Sequence, residues 1–280
     1  MNTQFKDDNK DLSDYIRDLT KEEIEFFAEN GWVFAPGYIN ANLMKDVTQH
    51  YRDWTGLQWD EWPEDPEEQE KFNQAVKNLM ANVIKFNIRL EDPWMWNFLT
   101  QRKLGKAAAD LLKVPSVKLL SDTLHVKLPA ATGRTEKLRW HQDFPSIPID
   151  RAEAVQTWIA LVPITPDMSP MAHMSGSHRE KPNGIHELAN ETIEETYPEL
   201  FDKYEISELH TYAPGDAVFH HCLTYHTSEA NRTNRIRMGI SSLRFSARSL
   251  YTGQSLSHTD GLGMQPLKLF NHQNFPTVYP

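Results

Sequence analysis

From about residue 116 onward, the chain consists of short segments that are rich in β-branched and aromatic residues and are separated by turn residues. These segments are 116–129, 154–165, 208–220 and 235–247. Their length and composition are typical of β-strands. Helix-length segments do not alternate regularly with them, which disfavours a parallel βαβ sheet. The pattern therefore predicts antiparallel strands that close on themselves, as in a jelly roll or a barrel.

The part of the chain before these strands is predicted to be mostly helical. Thr20 and Glu23 have the spacing of a capping box, and Gly31 marks the end of the helix that the box begins. Asn40 is a candidate cap for the next helix. The further helical segments are 40–55, 63–86 and 92–112. Segment 63–86 opens with proline and acidic residues, which favour the start of a helix.

The 280 residues fit one domain of the mainly β class with added helices. We expect residues 1–115 to form a helical layer, residues 116–250 a jelly-roll core, and residues 251–280 a C-terminal extension. The polar segment 179–208 interrupts the strands and is predicted to be a loop with a short helix.

Charge, the length of apolar runs and cysteine content argue against several classes of protein. A formal net charge of -10 argues against nucleic acid or an anionic membrane surface as a partner. No apolar run approaches the roughly 18–20 residues that span a bilayer. The first residues are polar and acidic, unlike a secretory signal, and the single cysteine, Cys222, cannot form an internal disulfide. We expect a cytoplasmic protein with a small-molecule substrate; the oligomeric state is left open.

A candidate metal site begins in the stretch RWHQDFPSIP, which holds His141 and Asp143. Alternate residues of an extended strand point the same way, so these two side chains can converge. The stretch GDAVFHHCLTYHTSEAN offers a third ligand from among His220, His221 and His226. Two histidines and one carboxylate on one face of a metal suit non-haem Fe(II), because they leave positions open for a co-substrate and O₂. Structural zinc would favour four closed ligands with cysteine among them.

A cationic side chain on the next candidate strand could bind a keto acid that chelates such an iron. Arg237 follows His226 by eleven residues, and Arg235 is its rival on the same face. A guanidinium suits this task because its fork can bind both oxygens of the distal carboxylate.

Several blocks of the sequence resemble the phytanoyl-CoA dioxygenase family of Fe(II)- and 2-oxoglutarate-dependent oxygenases. They are WHQD (140–143), WIAL (158–161), SGSHR (175–179), PGDAVFHHCLTYHTSEANRT (214–233) and Arg237, together with the opening LTKEEIEFFAENGWVFAPGYI. The resemblance covers roughly residues 19–245. It implies a double-stranded β-helix, which is a cupin-like jelly roll, preceded by a helical layer.

The resemblance also implies roles for individual residues. His141, Asp143 and His226 match the iron ligands, and Arg237 matches the arginine that binds the C5 carboxylate of 2-oxoglutarate. Further positions that match the co-substrate pocket are Trp158, Ser228, Gln142 and Thr123, and the resemblance implies one more contact from the helical layer, by Lys85 or Asn87. One block departs from the family pattern, because Ser169 stands where glycine is common. Candidates for the substrate cavity are Trp140, Phe144, Met171, His173 and Met174.

The activity implied is oxidation of a C–H bond of a small-molecule metabolite, hydroxylation above all, with Fe(II), 2-oxoglutarate and O₂ and with release of succinate and CO₂. Secondary-metabolite biosynthesis is a candidate setting. Related halogenases have a small residue at the carboxylate position, so Asp143 favours oxygenation over chlorination. The alternatives are a non-catalytic cupin-like binding protein and a zinc enzyme that hydrolyses or isomerises its substrate. A simple binder would not need a carboxylate clamp at Arg237.

Overall fold

The computed structural model describes residues 10–77, 84–182, 192–257 and 259–280. Its α-helices are α1 (Lys21–Asn30), α2 (Ala41–Thr55), α3 (Pro66–Val76), α4 (Pro93–Leu99), α5 (Arg102–Leu112), α6 (Ile193–Thr196) and α7 (Glu199–Lys203). Its strands are β1 (Trp32–Ala35), β2 (Ile84–Phe86), β3 (Val117–Lys127), β4 (Leu138–His141), β5 (Ala154–Ala160), β6 (Ala172–His173), β7 (Ala217–His221), β8 (His226–Ser228), β9 (Arg237–Ser246) and β10 (Thr277–Tyr279).

The strands form two antiparallel sheets, which confirms the predicted class. The major sheet has the order β1-β7-β5-β9-β3-β10, with β2 also paired to β3, and the minor sheet has the order β4-β8-β6. Neighbours in each sheet are far apart in sequence, as in a jelly roll, where strands return to a sheet after crossing to the other one. The last strand, β10, pairs with β3, so the C-terminal segment is part of the major sheet.

The predicted helix starts are confirmed at two places. The Thr20 side chain accepts a hydrogen bond from the Glu23 backbone N–H, and the Glu23 carboxylate accepts one from the Thr20 backbone N–H. Gly31 ends α1 with φ 76°, a left-handed conformation that glycine adopts without a Cβ clash. Asn40 caps α2 by accepting a hydrogen bond from the backbone N–H of Asn42.

Two of the predicted helical segments are wrong in part. In 63–86, α3 ends at Val76 and residues 84–86 form β2, which pairs with β3; residues 78–83 lie outside the described residues. In 92–112 the chain forms α4 and α5 instead of one helix. The break lies at Gln101, whose extended backbone starts α5 and whose side chain accepts a hydrogen bond from the backbone N–H of Leu12. Tertiary hydrogen bonding of this kind overrides a continuous helical pattern.

Within the predicted strand segment 208–220, strand β7 comprises Ala217–His221. Before it, Tyr212 makes an isolated bridge with Ile164. Gly215 then has φ 96°, and a Cβ there would lie 2.1 Å from the backbone oxygen of Ile39. The tight turn at Gly215 therefore separates the two parts of the segment.

Helix α5 covers the outer face of the major sheet, where it contacts β3, β5, β9 and β10. Its small residues Ala107, Ala108 and Ala109 are buried. A Cβ on Gly105 would lie 2.5 Å from the backbone oxygen of Val278, so glycine lets this helix approach the last strand closely. The helical layer thus supports the sheet from outside. Within the described part of the chain, no helix combines the length and the apolar character needed to cross a membrane.

Candidate metal centre and co-substrate cavity

Three side chains with metal-binding atoms converge between the two sheets. His141 at the end of β4 and His226 at the start of β8 are a cross-strand pair, with ring centroids 4.2 Å apart. Asp143 follows, and its Oδ1 lies 3.8 Å from Nε2 of His141 and 3.8 Å from Nε2 of His226. One ligand atom from each residue lies within 4.8 Å of the others. Among the described residues, this is the group that could hold a metal ion.

The local geometry that brings Asp143 to this point differs from the predicted one. Strand β4 ends at His141, and Asp143 has helical dihedral angles because it begins a short 3-10 helix over Phe144–Ser146. The two side chains therefore converge through a turn at the strand end and not through strand alternation. The turn is held by a hydrogen bond from the backbone N–H of Phe144 to the backbone oxygen of Cys222.

Both histidines are oriented by hydrogen bonds to nearby backbone oxygens. Nδ1 of His141 lies 2.8 Å from the oxygen of Arg139, and Nδ1 of His226 lies 3.0 Å from the oxygen of Thr224. A backbone oxygen can only accept, so in each ring Nδ1 carries the proton and Nε2 keeps its lone pair. This tautomer is the one that binds a metal through Nε2.

The protonation states also fit a metal site. Burial lowers the pKa of His226 well below its ordinary value, which keeps this imidazole neutral. Burial alone would raise the pKa of the Asp143 carboxyl, but its contacts with the neighbouring histidines, including the hydrogen bond with Nε2 of His220, hold it below its ordinary value. At neutral pH the site therefore offers a carboxylate at Asp143 and a neutral imidazole at His226, which are the forms that bind a divalent cation.

Neither of the two histidines considered as alternatives to His226 is one of the three converging groups. His220, on β7, places its Nε2 3.0 Å from Oδ2 of Asp143, so it contacts the carboxylate and is not one of the three converging groups. His221 is adjacent to it in the strand, and its Nδ1 accepts a hydrogen bond from the backbone N–H of Leu223. The ring of His178 lies 5.7 Å from that of His221, away from the three groups.

A cavity adjoins the three converging residues and reaches Arg237 at the start of β9. Arg237 is only 3% exposed, and its Nε has no hydrogen-bond partner among the described residues. Burial lowers its pKa to about 10, which still leaves the guanidinium charged at neutral pH. A buried cation without a partner is costly, so this end of the cavity is suited to an anionic ligand.

Trp158 on β5 forms a wall of the same cavity. The Cζ atom of Arg237 lies 4.7 Å from the Trp158 ring centroid, which is a cation–π distance. A Cβ on Gly239 would lie 2.0 Å from Cζ2 of Trp158, so the glycine makes room for the indole. The cavity lining is His125, Lys127, Leu138, His141, Asp143, Gln156, Trp158, Met171, His220, His226, Ser228 and Arg237.

Four lining residues were missed by sequence reasoning: Leu138 and the polar residues His125, Lys127 and Gln156. Lys127 is 4% exposed, and its Nζ donates a hydrogen bond to the backbone oxygen of Ser228 at 3.1 Å, which ties β3 to the end of β8. His125 and Gln156 both contact the Ser241 hydroxyl, at 2.8 and 3.0 Å. Strand alternation in β3 places residues 123, 125 and 127 on one face, which is the signal that could have found two of them.

The structure brings Trp158 and Ser228 to the cavity, whereas Gln142 and Thr123 are not among its lining residues. Gln142 is buried and donates a hydrogen bond to the backbone oxygen of Leu223, so it fixes the loop between the sheets. Thr123 is buried where β3 pairs with β2 and β9.

Two surface cations also lie away from the cavity. Lys85 is half-exposed, 3.6 Å from Glu91 and 5.3 Å from the ring of Trp54, and it is not among the residues that line the cavity. Arg235, the rival of Arg237, is exposed and makes a backbone bridge with Glu61. Of these two arginines, Arg237 is the buried one that lines the cavity.

Of the candidates for the substrate cavity, Met171 is among its lining residues and the others are not. Trp140 and Met174 pack in a cluster outside the minor sheet, and Phe144 packs against a second buried cluster. Ser169 has φ 64°, which explains why glycine is common at that position. It lies in a different pocket, with Trp140.

The chain matches a known protein family. The model of the family described as "Phytanoyl-CoA dioxygenase (PhyH)" matches residues 27–239. A curated relative, the probable phytanoyl-CoA dioxygenase of Caenorhabditis elegans, is 24% identical over 249 residues, which are 83% of this chain and 78% of the relative.

Solved structures show the same fold. The non-haem α-ketoglutarate-dependent carbocyclase SnoK from nogalamycin biosynthesis has a TM-score of 0.74 at 20% identity, over 93% of this chain and 96% of that one. The epimerase SnoN, in complex with Fe³⁺, α-ketoglutarate and nogalamycin RO, has a TM-score of 0.71 at 18% identity, over 92% and 98%. EctD from S. alaskensis, with 2-oxoglutarate and 5-hydroxyectoine, has a TM-score of 0.64 at 18% identity, over 83% and 78%. These likenesses confirm the jelly-roll fold.

Proposed function

The chain belongs to the phytanoyl-CoA dioxygenase family, and on that premise we propose that His141, Asp143 and His226 hold Fe(II). We further propose that Arg237 binds the distal carboxylate of 2-oxoglutarate. Family membership makes the chain a 2-oxoglutarate-dependent non-haem iron dioxygenase, with Fe(II) and 2-oxoglutarate as its cofactors. The assignment to residues depends on one observation: the three converging ligand atoms and the buried, unpartnered guanidinium line the same cavity.

The three residues fit Fe(II) by the chemistry of their donor atoms. Two Nε2 lone pairs and one carboxylate oxygen make a facial set of ligands that leaves positions open on the metal. The backbone oxygens of Arg139 and Thr224 fix the ring tautomers, so no proton has to leave Nε2 before a metal binds. When bound, Fe(II) and 2-oxoglutarate supply the oxidising power, since decarboxylation of the keto acid to succinate and CO₂ accompanies the reduction of O₂.

Arg237 fixes the far end of the co-substrate. Its buried guanidinium gains a charge-assisted hydrogen-bonding partner when a carboxylate binds. Trp158 restricts the guanidinium on one side, because its ring lies 4.7 Å from the Cζ atom. Buried side chains, among them Trp158, Met171 and Ser228, form part of the cavity wall, so they limit the access of water to the carboxylate and strengthen its attraction to the cation.

The reaction that we propose is oxidation of a C–H bond of a small-molecule metabolite, above all hydroxylation. Asp143 supports this proposal because an intact carboxylate occupies the position that halogenases of this kind leave to halide. Secondary metabolism is the proposed setting, since SnoK and SnoN belong to nogalamycin biosynthesis and the EctD structure contains a hydroxylated small molecule. A cytoplasmic location is also proposed, because the lone cysteine, Cys222, is buried and free.

The test is a screen for succinate release over a metabolite library, with Fe(II), O₂ and 2-oxoglutarate present. The screen should identify compounds that raise succinate above the level without substrate, and mass spectrometry should show a product heavier by one oxygen atom. The Arg237→Ala variant should lose this stimulation at low 2-oxoglutarate and regain part of it at high 2-oxoglutarate. A wild-type chain that binds Fe(II) and 2-oxoglutarate but forms no succinate with any compound or alone would contradict the proposal.

A further inference from the structure

We propose that His220 is a positioning residue that holds the Asp143 carboxylate so that one of its two oxygens faces the metal. This inference rests on the proposed function, in which Asp143 is an iron ligand. The two oxygens have different surroundings: Oδ2 lies 3.0 Å from Nε2 of His220, and Oδ1 lies 3.8 Å from the Nε2 atoms of both ligand histidines.

The direction of this hydrogen bond follows from the carboxylate. A carboxylate that binds a metal carries no proton, so its oxygens only accept, and Nε2 of His220, 3.0 Å from Oδ2, carries the donated proton. The donated bond occupies Oδ2 and opposes rotation of the carboxylate toward a geometry in which both oxygens bind one cation. A second oxygen on the metal would take a position that the chelating keto acid or O₂ needs.

His220 is itself held firmly. It is 1% exposed and lies in the interior of the major sheet, where its backbone pairs with Trp32 on β1 and Gln156 on β5. Its ring centroid lies 4.1 Å from that of His226 and 5.4 Å from that of His173. The imidazole therefore has little freedom to swing away from Asp143.

His173, whose ring lies beside that of His220, is itself held in place. The His173 ring stacks on Trp32, with centroids 5.2 Å apart and planes 9° apart. Because β7 belongs to the major sheet and Asp143 follows a strand of the minor sheet, the bond from His220 to Asp143 links the two sheets at the metal site. The major sheet, through His220, thereby fixes the position of Asp143, which lies on a turn.

The experiment compares two substitutions in the full-length, metal-free chain. His220→Phe keeps a ring but removes the donor, and His220→Gln places an amide N–H near the position of Nε2. We expect His220→Phe to weaken Co(II) binding by roughly 10–100-fold in calorimetric titration, the usual cost of losing a partner that orients a ligand. We expect His220→Gln to stay within about threefold of the wild-type chain.

His221→Phe is the matched control, because it alters the same strand on its other face and should leave Co(II) affinity unchanged. Melting temperatures of the metal-free variants separate folding from positioning. Should His220→Phe not fold, His220→Leu takes its place in the comparison with His220→Gln, with the same expectation.

Unchanged Co(II) affinity in a folded variant without the donor would overturn the inference. It is also overturned if His220→Gln binds as weakly as the donor-free variant, since packing and not the N–H would then matter. These outcomes differ from failure of the proposed function, in which the wild-type chain and Asp143→Ala would bind Co(II) equally well.

Discussion

The guanidinium of Arg237 lies over the indole of Trp158, with Cζ 4.7 Å from the ring centroid, and both side chains are buried in the cavity that adjoins the candidate metal centre. The two ends of the cavity offer different kinds of binding group. The end near His141 offers neutral and anionic donors for a cation, and the end at Arg237 offers a cation for an anion. A dicarboxylate with a keto group fits between them because it carries both kinds of partner.

Substitution of Arg237 by alanine should weaken 2-oxoglutarate binding and leave metal binding unchanged. Loss of a charge-assisted contact costs about 2 kcal/mol, which is on the order of thirtyfold in dissociation constant. Titration calorimetry with 2-oxoglutarate in the presence of Co(II) measures this change. Arg235→Ala is the control, since Arg235 is an exposed arginine two residues before Arg237 and does not line the cavity. Equal losses in the two variants would show that Arg237 does not bind the co-substrate.

The buried guanidinium of Arg237 should also lower the stability of the ligand-free chain. Since no described residue accepts a hydrogen bond from Nε of Arg237, the desolvation cost in the ligand-free chain is offset only in part, by the contact with the Trp158 ring. Arg237→Met should therefore raise the melting temperature of the ligand-free chain, while the increase that saturating 2-oxoglutarate gives the wild-type chain should shrink. Differential scanning fluorimetry with and without the co-substrate checks both parts. A destabilised ligand-free Arg237→Met chain would refute this account of the cation.

Gly239 should be needed for co-substrate binding although it makes no polar side-chain contact. A Cβ at this position would lie 2.0 Å from Cζ2 of Trp158, so Gly239→Ala should displace the indole and weaken 2-oxoglutarate binding by roughly tenfold. Trp158→Phe removes the clashing atom. In a double-mutant cycle the two changes should be non-additive, with Gly239→Ala costing little in the Trp158→Phe background. Strict additivity would show that the glycine acts elsewhere.

The stability of the metal-free chain should fall as the pH is lowered from about 6.5 to 4. Burial lowers the pKa of His125 to about 3 and that of His221 to about 4, so both rings stay neutral in the folded chain over this range. The unfolded chain binds a proton on each ring below about pH 6.5, which favours unfolding by up to roughly 1.4 kcal/mol per pH unit and ring. The buried His173 and His226 add to the effect in the same direction.

Urea unfolding of the metal-free chain at pH 7, 6 and 5 measures this slope. His221→Asn is the informative variant, because asparagine keeps an acceptor for the backbone N–H of Leu223 but cannot be protonated. Its unfolding free energy should fall less steeply than that of the wild-type chain. A free energy that does not change with pH in this range would rule out the proposed neutral, buried state of these rings.

The sequence predicted the antiparallel core and the helix caps well, because strand composition and capping residues act locally. It predicted less well where tertiary contacts decide the structure. Gln101 divides one predicted helix into two through a hydrogen bond from Leu12, eighty-nine residues away. Residues 84–86 form a strand because β3 offers them an edge, and no local pattern in the 63–86 segment indicates that partner.

The same contrast between local sequence patterns and tertiary contacts holds for the candidate site. His141 and Asp143 could be proposed from their spacing, and the family resemblance selected His226 and Arg237 from their alternatives; the structure brings all four to one cavity. The role of His220 could not be read from spacing, because it depends on the crossing of two sheets. Lys85 resembled a family position by sequence, but β2 places it beside Glu91 and Trp54 and outside the cavity lining.

The most direct test of the central claim is an anaerobic titration of the chain with Fe(II) and 2-oxoglutarate, followed by absorption in the visible range. The account predicts a weak charge-transfer band that appears only when both are present. The band should be absent in His141→Ala and should need more 2-oxoglutarate in Arg237→Ala, and admission of O₂ should yield succinate. A wild-type chain that shows no band and forms no succinate would contradict the claim that these residues form an iron and 2-oxoglutarate centre.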